Sequence, residues 1–110
     1  MVHEMKLVDF AFKAIKNKQK DIEVRLNDPK RRLIKIDDII EFHHIDTNEI
    51  IKTQVINLYK FDNFEELFNN FDNKRLGLKE SDDKSIMDSF YSKEDQEKYG
   101  ALAIEIKLID

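Results

Sequence analysis

Lys20, Glu23 and Arg25 stand within six residues of one another and are the strongest candidates for chemistry in the chain. The segment Asp21-Ile22-Glu23-Val24-Arg25-Leu26 alternates strictly, with Ile22, Val24 and Leu26 on one side and Asp21, Glu23 and Arg25 on the other. That period of two predicts a strand, and residues two apart on a strand share a face. Glu23 and Arg25 therefore point the same way, with Lys20 just ahead of them. Arginine offers a planar fork of donors suited to a phosphate or a base edge, and lysine a compact positive charge. A carboxylate between two cations is held ionised. In a site that excludes water, Glu23 could accept a proton from an exocyclic amine, a 2'-hydroxyl or an attacking water. The set suits recognition or hydrolysis, and its plainer reading is a surface ion pair of small energetic weight.

Further candidates lie to either side. Lys30, Arg31 and Arg32 follow a turn and are placed to contact a nucleic-acid backbone, or else form a solvated loop. Tyr91 and Tyr99 could stack on an unpaired base, although packing with the hydroxyl outward is the commoner use of such tyrosines. His43-His44 invites a metal reading, but neighbouring strand residues face opposite ways and no ligand spacing supports the pair, so no metal and no cofactor is expected. No glycine-rich phosphate loop or nucleophile elbow occurs. Phe10, Phe12, Phe61, Phe64, Phe68, Phe71 and Phe90 fall near apolar positions and read mostly as core.

The elements that must hold these residues follow from periodicity. Leu7, Phe10, Ala11, Ala14 and Ile15 form a helical stripe from about Leu7 to Lys18. The strand from Asp21 to Leu26 ends at Asn27-Asp28-Pro29. A second strand is expected from about Asp38 to Ile45, then a turn at Asp46-Thr47-Asn48-Glu49, then a third strand from Ile50 to Phe61 as its hairpin partner. Asp62 with Glu65 three residues on reads as a capping box for a helix ending before Arg75-Leu76-Gly77. A short helix is expected from Ser85 to Phe90. Another starts at Ser92 and stops at Gly100, and a final strand from Ala101 to Ile109 carries Leu102, Ile104, Ile106 and Leu108 on one side. The order helix, three strands, helices, strand points to a small α+β barrel rather than a parallel sheet.

Composition sets the outer bounds. The chain has 110 residues, enough for one domain spanning 1–110, with 41% hydrophobic and 38% charged residues. It has no cysteine, which removes disulfides and thiol catalysis and fits a reducing compartment. No apolar run reaches membrane-spanning length, and Met1 to Lys6 lacks the apolar core of a signal peptide, so a cytoplasmic protein that does not enter the membrane is expected. The net charge of -4 argues against a purely electrostatic nucleic-acid binder. Yet nine basic and three acidic residues lie between Lys13 and Lys35, a balance of +6 that leaves -10 for the remainder.

Three segments together resemble the ASCH domain family. Ile15-Lys16-Asn17-Lys18-Gln19-Lys20-Asp21-Ile22-Glu23-Val24-Arg25 resembles its I-x-x-G-x-K-T-I-E-x-R pattern. Leu26-Asn27-Asp28-Pro29-Lys30-Arg31-Arg32 and the following Lys35-Ile36-Asp37-Asp38 resemble its R-L-x-D-x-K-R run and K-x-G-D strand opening. Tyr91-Ser92 through Glu97-Lys98-Tyr99-Gly100-Ala101, with Ile104-Glu105-Ile106, resembles its closing Y-S-x-E-x-E-x-K-Y-G and last strand. The resemblance spans the chain and implies a PUA-like mixed β-barrel with flanking helices. It also implies a cleft lined by Lys20, Glu23 and Arg25 that binds RNA or a modified nucleotide. Some members hydrolyse acylated cytidine and some act on single-stranded RNA. Lys18 and Asp37 stand where the family usually has glycine. Glu23 stands where the amidohydrolase motif K-T-I-T-x-R carries its nucleophilic threonine, and a carboxylate cannot form the same acyl-ester intermediate. Binding is therefore the first expectation. A small hydrolase acting on an acylated pyrimidine nucleoside or single-stranded RNA, with Glu23 as base, is the second. An adaptor whose acidic remainder meets a protein partner is the third.

Overall fold

The computed structural model describes residues 1–78 and 84–109, with backbone alone at 84–86. Five strands form one sheet: β1 Val2–Leu7, β2 Ile22–Leu26, β3 Ile39–His44, β4 Ile50–Phe61 and β5 Ala101–Leu108. The order is β1-β3-β4-β5-β2, with β1 parallel to β3 and every other pair antiparallel. The expected α+β class, the β3–β4 hairpin and the last strand are all present.

β1 corrects the expected order, because the chain starts with a strand and not with a helix. Val2 to Leu7 alternates exposed and half-buried positions, and its outward residues Glu4 and Lys6 mask the pattern. Leu7, read as the first residue of the helical stripe, is instead the buried end of β1, aligned with His44. The helix α1 runs Asp9–Lys16. Starting two residues later turns the apolar face to Val8, Ala11, Phe12 and Ile15, so Phe12 is buried and Phe10 is 56% exposed. Full burial of a side chain such as Phe12 contributes roughly 1.5–3 kcal/mol.

β4 is long enough to serve two neighbours. Ile50 to Gln54 pair with β3 and Thr53 to Phe61 with β5, so Thr53 and Gln54 have partners on both sides. A bulge between Val55 and Asn57 shifts the register of the β4–β5 ladder just past the end of the β3 pairing, as an inserted residue does. The sheet curls into a half-barrel, and its two edge strands meet where Arg25 Nη2 of β2 donates to the Lys6 carbonyl of β1 at 3.0 Å. Both faces are covered. α1 packs on Ile40, Phe42, Leu102, Ile104 and Ile106. The other face packs Ile22, Leu26, Ala101 and Ala103 against Phe64, Leu67, Phe68 and Leu76.

The single helix expected after Asp62 is two short ones, α2 Phe64–Asn69 and α3 Asn73–Leu76. The cap of α2 is Asn63, not Asp62: Asn63 Oδ1 accepts from Glu66 N–H at 2.8 Å. α3 therefore contains Arg75 and Leu76, which were expected beyond the helix, and closes on Gly77 in the left-handed region. A 3-10 segment spans Lys84–Ser89. Ser92 caps the last helix, α4 Lys93–Tyr99, by accepting from Asp95 N–H at 3.1 Å, and Gly100 ends it.

Candidate ligand-binding cleft

Lys20 reaches its place through a tight exit from α1. Lys18 adopts φ 63°, and the backbone N–H groups of Gln19 and Lys20 both return to the Ala14 carbonyl at 2.9 and 3.0 Å. The turn throws Lys20 beneath α3, where its Nζ donates to the Leu76 carbonyl at 2.8 Å. Gly77 makes room for the stem, since a Cβ at that position would lie 2.9 Å from Lys20 Cδ. Lys20 Nζ also lies 3.3 Å from Glu23 Oε1. Arg25 grips the other carboxylate oxygen, Oε2, with Nε at 2.9 Å and Nη2 at 2.8 Å.

The three residues meet as the strand period requires, but not at the surface. Side-chain exposure is 7% for Lys20, 6% for Glu23 and 14% for Arg25, so this is a buried array with a net charge of about +1 and not a surface ion pair. Burial alone would push the Glu23 carboxyl up. The charges of Arg25 and Lys20 and the hydrogen bonds they donate together outweigh it and hold the group below its ordinary value. Burial opposes the charge on Arg25 too, but Glu23 and then the Tyr91 hydroxyl keep its guanidinium even more firmly protonated than usual.

Above this array opens a cleft of about 250 Å³ between β1, α1 and β2 on one side and Phe68, Leu76, Leu78, Met87, Phe90 and Tyr91 on the other. Tyr91 stands beside Arg25 and stacks on Phe64 with ring centroids 6.0 Å apart and planes 5° from parallel. The remaining walls are apolar, among them Val24, Phe68, Leu78 and Met87. Phe10, Ile45 and Phe90 line the cleft yet are 56%, 54% and 57% exposed, so they form its rim. Phe10 and Phe90 were read as core and are not. The missing signal was the true start of α1, which rotates Phe10 off the apolar stripe.

The other expected residues lie elsewhere. Arg31 pairs with Asp28, Nη1 to Oδ2 at 2.6 Å, and lines a neighbouring depression rather than the cleft. Arg32 donates from Nε to the Asn27 carbonyl at 2.9 Å and lies over the Tyr99 ring, 5.9 Å from its centroid. Tyr99 is thereby placed in a packing role on α4, away from the cleft. The two histidines part as neighbouring strand residues must. Buried His44 contacts Asp9 through Nε2 at 2.8 Å, while its Nδ1 accepts from Asp46 and Thr47 N–H at 3.0 and 3.2 Å and so anchors the β3–β4 turn. His43 faces Glu4 and Glu41 on the opposite side.

Among the described residues no helix is long and apolar enough to cross a membrane. The fold and its length recur in solved structures. The chain is similar to the crystal structure of a hypothetical protein designated PH0355, at 33% identity and a TM-score of 0.86, covering 99% of this chain and 100% of that one. It is also similar to the solution structure of protein PF0455 from Pyrococcus furiosus, at 30% identity and a TM-score of 0.75, covering 100% and 99%. No functionally curated protein matches it. The model of the ASCH domain matches residues 5–110, nearly the whole length, and the chain belongs to the ASCH domain family.

Proposed function

We propose that the protein is a binding module for an unpaired nucleotide, in RNA or free and modified, seated in the cleft above Lys20, Glu23 and Arg25. The observation that carries this reading is the pairing of a buried, positively charged floor with an aromatic rim. A planar base finds stacking partners in Phe10, Phe90 and Tyr91, and polar edges find the part of the Arg25 fork not taken by Glu23 and the Lys6 carbonyl. The volume of about 250 Å³ lies just below the usual range for small-molecule sites, roughly 300–1,000 Å³, which is the scale of a single base.

The test is fluorescence anisotropy with a labelled single-stranded RNA at low and moderate salt, with calorimetry on free and acylated cytidine beside it. Wild-type affinity for RNA should fall with salt, and Arg25→Ala should abolish most of it. Phe90 is exposed, so Phe90→Ala should leave the circular dichroism unchanged and weaken binding by about 1–3 kcal/mol if a base stacks there. Absence of binding to RNA at low salt and to both nucleosides would end this reading.

The runner-up is a small hydrolase that uses the same cleft on acylated cytidine or single-stranded RNA. It asks Glu23 to accept a proton, and a carboxylate flanked by two cations is a weak base, which is why binding ranks first. Product release by the wild type that disappears in folded Glu23→Gln would reverse the ranking.

A further inference from the structure

Lys6 and Arg25 line the cleft and also a second, more open depression of about 660 Å³, so they form the wall between the two. Their hydrogen bond from Arg25 Nη2 to the Lys6 carbonyl makes that wall one connected unit. The second depression adds Lys30 and Arg31 to these cations and is bounded by His43 and Glu4. Two buried nitrogens of its wall residues, Nε of Arg31 and Nε2 of His43, have no hydrogen-bond partner among the described residues. His43 looks toward Glu4 and Glu41, so only Arg31 and the cations beside it favour an anion. Arg31 is fixed by Asp28, which takes both its Nη1 and its backbone N–H. His43 Nε2 lies 3.7 Å from Glu4 Oε1, too far for a hydrogen bond. Buried polar groups seldom go unpaired, and the Arg31 guanidinium, lining this hollow beside Lys6, Arg25 and Lys30 with donors that Asp28 does not take, suits an oxyanion.

We propose that this depression is a phosphate subsite, joined to the cleft across the Lys6–Arg25 wall. The ligand's base would sit in the cleft and its phosphate against Lys30 and the Arg31 guanidinium. The choice of a nucleotide rests on the reading of the cleft as a base site, whereas the anion chemistry rests on the residues of the depression alone. Two carboxylates work against an anion at the far edge of this wall: Glu4, 71% exposed, and Glu41, which meets Glu4 and His43 within 4.8 Å. The phosphate could belong to an RNA chain or to a mononucleotide.

The experiment is a ¹H–¹⁵N correlation titration that follows backbone amides and the arginine Nε–H signals. Inorganic phosphate is titrated against sodium chloride of matched ionic strength, and cytidine, cytidine 5'-monophosphate and a short oligocytidylate follow. Phosphate should shift the Arg31 Nε–H and His43 signals. Arg31→Ala should weaken that response about tenfold. Lys30 and Glu4 are exposed and their replacement does not threaten the fold, so Lys30→Ala should also weaken it and Glu4→Gln should strengthen it about two- to threefold. Phosphate that moves no signal beyond the chloride control, or responses indifferent to all three variants, would overturn the subsite. Cytidine shifting the cleft while phosphate moves nothing leaves the base reading standing without the subsite. Phosphate shifting Arg31 while cytidine and RNA leave the cleft unmoved keeps the subsite and removes the base reading. Tighter binding of cytidine 5'-monophosphate than of cytidine assigns the phosphate to a mononucleotide, and a gain seen only with the oligonucleotide assigns it to a chain.

Discussion

Glu23 is the residue on which the cleft depends, because it is the buried counter-ion of two cations held at about 3 Å. Coulomb energy gained in such a place mostly offsets the cost of desolvating the ions, so the array adds little net stability when complete and costs much when broken. Glu23→Gln keeps the shape and removes the charge, leaving Lys20 and Arg25 facing each other. It should destabilise the fold by about 3 kcal/mol or more, lowering Tm by roughly 10 °C in a domain of this size. Lys20→Met added to Glu23→Gln should recover part of that loss, since it removes one of the stranded cations. Thermal unfolding of both variants checks it, and additive losses would mean that the three groups are not one unit. The alliance of Lys20, Glu23 and Arg25 was legible, because a period of two and one short turn decide it. Its depth was not, because the cover comes from Leu76 and Gly77, more than fifty residues away in the chain.

At the scale of elements, two residues that stand at glycine positions of the resembled pattern can be judged by their backbone shape. Lys18 and Asp37 both hold positive φ, 63° and 76°, the region that a side chain disfavours. Lys18→Gly should raise stability by roughly 0.5–1 kcal/mol and Tm by a few degrees, after allowing for the greater freedom that glycine brings to the unfolded chain. Asp37→Gly should gain less, since aspartate tolerates this region and its Oδ1 accepts from Gln54 Nε2 at 3.4 Å. Gly100→Ala runs the other way. Its φ is 76°, and a Cβ would meet the Phe61 carbonyl oxygen at 2.7 Å, so the β4–β5 junction must open and the variant should unfold well below the wild type. A Lys18→Gly variant no more stable than the parent would refute the strain argument. The strands β2 to β5 were readable within a residue or so from alternation. β1 was not, because an edge strand with one solvated face carries few apolar residues and its partner β3 lies over thirty residues on.

Across the whole molecule, the basic excess between Lys13 and Lys35 does not become a uniformly basic face. Lys13 pairs with Asp9, Lys16 with Glu49, Lys20 and Arg25 with Glu23, and Arg31 with Asp28. Positive charge is instead left over where the two sheet edges meet, as the one excess cation of the Lys20–Glu23–Arg25 array and the neighbouring Lys6 and Lys30. The Glu23 pairing, together with the bonds that His3 and the Lys35 N–H make to Asp38, makes the fold sensitive to acid. The Asp38 carboxyl is lowered from 3.8 to about 2, first by its hydrogen bond with His3 and then by the Lys35 N–H, while Glu23 is held below 4.5. A depressed carboxyl stabilises the fold above its ordinary pKa and loses that effect as pH falls toward the folded value. Stability should therefore be level with respect to these groups above about pH 5, decline below about 4.5 and continue to decline toward pH 2. Urea midpoints between pH 7 and pH 2 read this directly. Glu23→Gln should show a shallower acid decline than the wild type, and equal slopes would remove Glu23 from the account.

The sequence by itself determined the class of fold, the strands whose alternation is unambiguous, the residues able to form the Lys20–Glu23–Arg25 array, and the family. These are local facts, carried by periods of two and of about 3.6 residues and by short motifs in order. Tertiary structure alone decided that the array is buried, that Phe10 and Phe90 form a rim instead of a core, that Tyr99 and Arg32 satisfy each other away from the cleft, and that Arg31 looks into a second hollow across Lys6 and Arg25. Each of these depends on which distant segments the curl of the sheet brings together, and spacing along a chain carries no record of that.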